Sequence, residues 1–188
     1  MIVYTSEISL FLKALHFAAV KHRDQRRKDE QASPYINHLI DVAVILWETG
    51  RIRDMTTIIA GILHDTLEDT NTTPEELDAA FGSDMRSIVR ELSDDKSLPQ
   101  DERRRVQVEH AGKLSLRAQY VKLADKISNI GNIIDSPPAD WSPERKLEYV
   151  AWGKEVIDRL RGSNEPLERY FDALVERARW EIKAGKKV

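Results

Sequence analysis

The sequence predicts an all-α fold: a single domain over residues 1–188, built as a bundle of about eight to ten helices. Three observations predict it. Apolar residues recur at three- and four-residue spacing along most of the chain and nowhere alternate as a half-buried strand requires. Capping residues and breakers stand at intervals of helical length. No linker, repeat or low-complexity tract divides the 188 residues, a length suited to one hydrophobic core.

The elements follow in order. Ser6-Glu7 opens the first helix, whose apolar face is Ile8, Phe11, Leu12, Leu15, Ala18 and Ala19. His16 and His22 lie on it with no carboxylate beside them at ligand spacing, so both read as surface or packing histidines. Residues 21–28, KHRDQRRK, end the helix in a basic run. Cations suit a helix C-terminus, and the same run would serve as a grip for an anion or nucleotide. A polar loop at 29–33 leads to Pro34 and a second helix at 35–47, with Ile36, Leu39, Ile40, Ala43, Val44 and Leu46 apolar. His38 near its start, taken alone, reads as a hydrogen-bonded core histidine. Thr49-Gly50 closes this helix and Asp54 can cap the third.

The third helix runs into the stretch GILHDTLEDT at 61–70. Ile58, Ile59, Ile62 and Leu63 make it apolar, and His64, Asp65, Glu68 and Asp69 follow at once. On a continuous helix, His64 and Glu68 share a face, and so do Asp65 and Asp69. So much charge beside a buried face is costly unless a cation or a hydrogen-bonding ligand compensates it. A metal site with hydrolytic chemistry is the direct reading; a solvated acidic helix end is the other.

Thr72-Thr73-Pro74-Glu75-Glu76 starts a short helix to Phe81-Gly82, and another follows Ser83 with Met85, Ile88, Val89 and Leu92 inward. After a loop at 93–99, residues 100–110 are strongly charged and read as a solvent-exposed helix. Arg103, Arg104 and Arg105 could bind phosphate, but Asp101, Glu102 and Glu109 offset them, so a solvated face is preferred. The helix at 115–134 is apolar on most sides and should be central. Asp125 and Asn129 sit inside its apolar run, and a cation shared with His64 and Asp65 would give Asp125 a partner. Pro137-Pro138 breaks the chain, Trp141-Ser142-Pro143-Glu144 restarts it, and a helix runs to about Leu160. A turn at 162–164 precedes the last amphipathic helix at 165–184, and residues 185–188 are expected to fray.

Composition excludes several classes. A net charge of −3 gives no global attraction to nucleic acid or anionic membranes. With no cysteine, disulfides and thiolate metal sites are unavailable. No apolar run of about 18 residues suggests a membrane span, and the N-terminus lacks the basic start of a signal peptide. A cytoplasmic protein is expected.

The order His38, then His64-Asp65, then Asp125 resembles the HD superfamily of metal-dependent phosphohydrolases. RRKDEQASPYINH, ILHDTLEDT, FGSDMRSIVRELSDDKSLP and VKLADKISNI are similar to the hydrolase domain of Rel/Spo alarmone enzymes, above all the short stand-alone form of metazoan SpoT-homologue type. The likeness covers nearly the whole chain and leaves no length for the further domains of the long enzymes. It implies that His38, His64, Asp65 and Asp125 are metal ligands and that Glu68 and Asp69 are the catalytic acidic pair. It implies further that Arg27 and Lys28 hold guanine and phosphate, and that Asn129 meets the sugar. The family cleaves guanosine 3′,5′-bis(diphosphate) to GDP and pyrophosphate, usually with manganese. The chain departs from the family at Gly131, often arginine there, and at Ser128, usually an aromatic residue or histidine.

Two imidazoles and two carboxylates suit Mn²⁺, Fe²⁺, Co²⁺ or Zn²⁺ better than Mg²⁺. One metal is expected, since His16, His22 and His110 do not fall at ligand spacing. Three functions follow: the alarmone 3′-pyrophosphohydrolase, which is favoured; an HD phosphohydrolase for another nucleotide such as NADPH; and a non-catalytic nucleotide-binding module. Partners should be small guanine nucleotides rather than nucleic acid polymers or membranes; the sequence does not give the oligomeric state.

Overall fold

The computed structural model describes residues 6–185. The readings of residues 1–5 as lacking a signal sequence and of 186–188 as frayed lie outside them. Among the described residues there are ten α-helices and no strand. They are α1 (Glu7–Lys21), α2 (Ile36–Val44), α3 (Met55–Leu63), α4 (Thr66–Asp69), α5 (Pro74–Phe81), α6 (Ser83–Leu92), α7 (Gln100–Ala111), α8 (Leu116–Asp135), α9 (Pro143–Asp158) and α10 (Glu165–Ala184). The all-α expectation stands.

The capping chemistry works as the sequence suggests. Ser6, Asp54, Thr73, Ser115 and Ser142 each accept a backbone N–H of the helix that they open. Asn164 does the same for α10. Helix α8 is the axis of the fold and packs against α2, α3, α6, α9 and α10. Its Leu123, Ala124, Ile127 and Ile130 are buried, as is all of α3 from Thr57 to Leu63. Gly61 lets α3 approach α2 and the turn after it: a Cβ there would meet Val42 Cγ1 at 3.4 Å and Leu46 Cδ1 at 2.8 Å.

Four local expectations need correction. Helix α1 is rotated: Ala14 and Ala18 form its buried centre, while Ile8 and Leu12 are exposed. Small side chains let α1 settle on α3, and the larger ones flank that contact. The second helix stops being α-helical at Val44 and continues as a π turn, Ile45–Thr49, closed by Gly50 N–H to Ile45 O. Gly50 is needed for space, since a Cβ would lie 2.8 Å from Leu46 O; the left-handed residue is Arg51, at φ 54°. Helix α7 is half-buried along much of its length: Gln107 bonds Asp94, and Trp152 Nε1 donates to Arg104 O at 3.2 Å. The fourth correction shapes the site. The helix expected through residues 61–70 breaks at His64-Asp65 and restarts as the four-residue α4.

No helix among the described residues is long and apolar enough to cross a membrane.

Candidate active site

The break after α3 has local causes. Thr66 Oγ1 donates to Leu63 O at 2.6 Å, and His64 Nδ1 donates to Gly61 O at 2.9 Å. These side chains take carbonyls that a continuing helix would use. Asp65 then caps α4, with Asp69 N–H on Asp65 O. The kink turns His64 and Asp65 together toward α2 and α8, which the straight-helix reading could not do.

Four donor groups meet there. His38 Nε2 lies 3.3 Å from Asp125 Oδ1 and 3.8 Å from Asp65 Oδ2. His64 Nε2 lies 3.1 Å from Asp65 Oδ2 and 3.7 Å from Asp125 Oδ1. Ligand atoms of His38, His64 and Asp65 all fall within 4.8 Å of one another. His38, His64 and Asp125 are buried. His38 is thus a core histidine, hydrogen-bonded through Nδ1 to Ser128 Oγ at 3.0 Å, with its other nitrogen turned into the cluster.

The set fits a divalent metal. Because His64 Nδ1 gives its proton to a carbonyl, it is Nε2 of the neutral ring that presents a lone pair to the centre, and that atom is buried without a hydrogen-bond partner. A lone pair facing carboxylate oxygens needs a cation between them. Burial works against a charged His64, yet Asp65 and Asp125 push it up to about 10. Burial also works against both carboxylates. The His64 ring holds Asp65 low, and the Lys126 ammonium with the two imidazoles holds Asp125 low. Without a metal such a centre favours a proton on His64, and a divalent ion held by these four residues would take that proton's place.

A second layer orients these donors. Tyr35 OH donates to Asp65 Oδ2 at 2.6 Å. Asn129 Nδ2 donates to Asp125 Oδ1 at 2.6 Å, and Lys126 Nζ to Asp125 Oδ2 at 3.1 Å. Lys126 is 4% exposed and lies 4.5 Å from the centre of the Trp152 ring.

Glu68 and Asp69 stand one turn on, in different surroundings. Glu68 accepts the Asp94 backbone N–H at 2.9 Å. Burial, opposed by that bond and helped by the charges of Asp94, Asp65 and Asp69, raises Glu68 to about 7. Asp69 accepts from Gln25 Nε2 at 2.8 Å and from Lys96. The raised value of Glu68 sets a sign for stability. Its contribution is full below the unfolded pKa and is lost as pH rises through about 7. In chelator-treated protein, Glu68→Gln should match the wild type only below the ordinary glutamate pKa, at about pH 4. Near about pH 8 it should be the more stable, by up to about 3 kcal/mol. Equal denaturant midpoints at the higher pH would contradict the burial described.

These groups line one wall of a cleft of about 500 Å³. Arg27 and Lys28 stand on its rim, with Tyr35, Trp141, Tyr149 and Asn129 among its other walls. Arg27 Nη2 reaches Asn129 Oδ1 at 3.5 Å, and its guanidinium lies 6.0 Å from the Tyr35 ring centre. All nine residues singled out in the sequence therefore gather at one place, Asn129 turned toward Asp125 as well as toward the cleft. His16 is exposed, while His22 is buried. Sequence reasoning missed Tyr35, Lys126, Trp141 and Tyr149, and noted Ser128 only as a departure from the family. A lysine inside an apolar helix beside Asp125 was a usable signal for Lys126; nothing in the spacing pointed to the two aromatic residues.

Residues 14–149 match a family model described as HD domain. The guanosine-3′,5′-bis(diphosphate) 3′-pyrophosphohydrolase MESH1 of Xenopus tropicalis is 49% identical over 168 residues, 89% of this chain and 94% of that protein. The protein of the same name from Homo sapiens is 47% identical, over 87% of this chain and 91% of its own length. A solved structure described as a metazoan ortholog of SpoT that hydrolyzes ppGpp superposes with a TM-score of 0.88 at 43% identity, covering 94% of this chain and 98% of that one.

Proposed function

The chain belongs to the HD-domain family, and from that premise we propose that it is a metal-dependent guanosine-3′,5′-bis(diphosphate) 3′-pyrophosphohydrolase. It releases pyrophosphate from the 3′ position and leaves GDP, or GTP from the pentaphosphate. One observation carries the reading. A buried centre of two imidazoles and two carboxylates is bonded to Tyr35 and Asn129, which line a cleft whose rim is cationic and whose wall holds an acidic pair.

His38, His64, Asp65 and Asp125 would hold one ion, and their nitrogen and oxygen donors favour Mn²⁺, with Fe²⁺, Co²⁺ or Zn²⁺ as the other candidates. When bound, the metal supplies Lewis acidity toward the phosphoryl oxygens and acidifies water. The chain's own groups do the rest. Arg27 and Lys28 bring two cations to the rim, where they neutralise the substrate's phosphates. Arg27 also offers a flat guanidinium for stacking on a base, which lysine cannot reproduce. Glu68 titrates near neutral pH, so it can take the proton of the attacking water. Asp69, held by Gln25 and Lys96, is a fixed carboxylate that orients the water and the leaving 3′-oxygen. Small guanine nucleotides of the cytoplasm are the natural partners.

The test is hydrolysis of the alarmone with manganese, NADPH run alongside, and the products identified. Equal amounts of GDP and pyrophosphate are expected. Tight alarmone binding with no pyrophosphate release would make the protein a binding module instead, and preferential turnover of NADPH would move the substrate. Arg27→Ala should raise KM by roughly 10-fold or more with kcat changed less, since its contacts exist before and during the reaction. An unchanged KM would remove Arg27 from the nucleotide site.

A further inference from the structure

His22 follows the last turn of α1, and no step above uses it; yet it is 2% exposed and packs on Tyr35, a wall of the cleft. Its Nδ1 pairs with Gln25 Oε1 at 2.5 Å, and Gln25 Nε2 donates to Asp69 Oδ2 at 2.8 Å. The backbone locks this arrangement: Gln25 N–H bonds His22 O at 3.0 Å, and Tyr35 N–H bonds Gln25 O at 3.1 Å.

The two bonds determine each other. Asp69 can only accept, so the Gln25 amide must turn its NH₂ toward it and its oxygen toward His22. That oxygen can only accept as well, so His22 must carry its proton on Nδ1. Nε2 is then a bare lone pair, which agrees with its burial without any partner. The opposite tautomer would bury an orphan N–H and set two lone pairs face to face. Burial also lowers the pKa of His22, against the Gln25 bond and the Asp65 and Asp69 charges, which favours the neutral ring. Asp69's other oxygen is held by Lys96, whose side chain is 49% exposed. The Gln25 bond is therefore the less mobile of the two restraints on this carboxylate.

We propose that His22 and Gln25 form a hydrogen-bond relay that fixes the Asp69 carboxylate, making both positioning residues for the hydrolysis. The proposal rests on the function assigned above. It also gives the basic loop a second task, because the turn that presents Arg27 and Lys28 is the one that holds Asp69.

The His22 ring also stacks on Tyr35, with centroids 5.2 Å apart and planes at 23°. A packing role is the competing explanation, and two substitutions separate the roles. His22→Phe keeps a stacked ring and loses the donor; His22→Asn keeps a donor near Nδ1 and loses the ring. The relay predicts that His22→Phe lowers kcat roughly 10-fold, with KM and metal content little changed, and that His22→Asn recovers most of the loss. Gln25→Met should cost roughly 10- to 100-fold, and His22→Phe added to it should cost nothing more. An active His22→Phe beside an impaired His22→Asn, or losses that add, would overturn the relay. Nitrogen-15 shifts of the histidine rings, assigned to His22 by their loss in His22→Asn, read the tautomer without substrate. A proton on Nε2 overturns the proposal too. A wild type that releases no pyrophosphate would refute the assigned reaction, while the tautomer would still decide whether the relay exists.

Discussion

His64→Ala and Asp125→Ala should each leave the purified chain without its metal ion, where the wild type holds about one per chain. The geometry gives each residue a place that no neighbour can fill. His64 Nε2 sits between the Asp65 and Asp125 carboxylates, and its other nitrogen is fixed on Gly61 O, so the ring cannot be replaced by a small shift of the backbone. Asp125 Oδ1 is the oxygen that faces both imidazoles. Its removal also strands the buried Lys126 ammonium, so this variant should lose stability as well as metal. Ser128→Ala is the graded comparison. It keeps all four donors and removes only the hydroxyl that steers His38, so manganese affinity should fall by roughly 10- to 100-fold while a site remains. Elemental analysis and manganese titration check all three. Full metal content in His64→Ala would mean that the ion lies elsewhere.

How far the sequence reached follows from what each feature depends on. Helical periodicity and caps depend on near neighbours, so α5, α8, α9 and α10 could be placed from the chain alone. His64, Asp65 and Asp125 stood out because charge inside an apolar run needs a reason. The resemblance supplied His38, which by itself looked like a core histidine, and it is one, with a second nitrogen to spare. What remained hidden depends on distant partners. The π turn after Val44 and the rotation of α1 are set by packing between helices. The kink at His64-Asp65 arises from side chains that compete for backbone carbonyls, and periodicity does not register that competition. The partners of Glu68 and Asp69 are more remote still. Asp94, which holds Glu68, and Gln25, which holds Asp69, come from loops, and no spacing in the chain pairs them with these carboxylates.

Glu68→Gln should separate holding the metal from doing the chemistry. The amide keeps the shape and can still accept the Asp94 N–H, so fold and metal content should stay near normal. What disappears is the proton acceptor, and kcat should fall by about 10²- to 10⁴-fold, the usual range for a general base. Asp65→Asn should respond differently. It weakens a ligand, so raising manganese should restore part of its activity, whereas Glu68→Gln should not respond to added metal. The pH profile gives an independent sign. Burial raises Glu68 to about 7, so a base must lose its proton in that range, and wild-type kcat should climb with pH through it. That limb should vanish in Glu68→Gln. A limb that falls with pH would recast Glu68 as the acid that protonates the leaving 3′-oxygen. Asp69→Asn has to be measured beside it, because Asp69 shares the cleft wall. If Glu68→Gln keeps near-normal kcat while Asp69→Asn loses it, proton transfer belongs to Asp69 and the Gln25 bond holds the base itself. If both variants stay active, the acidic pair is structural and this mechanism is wrong.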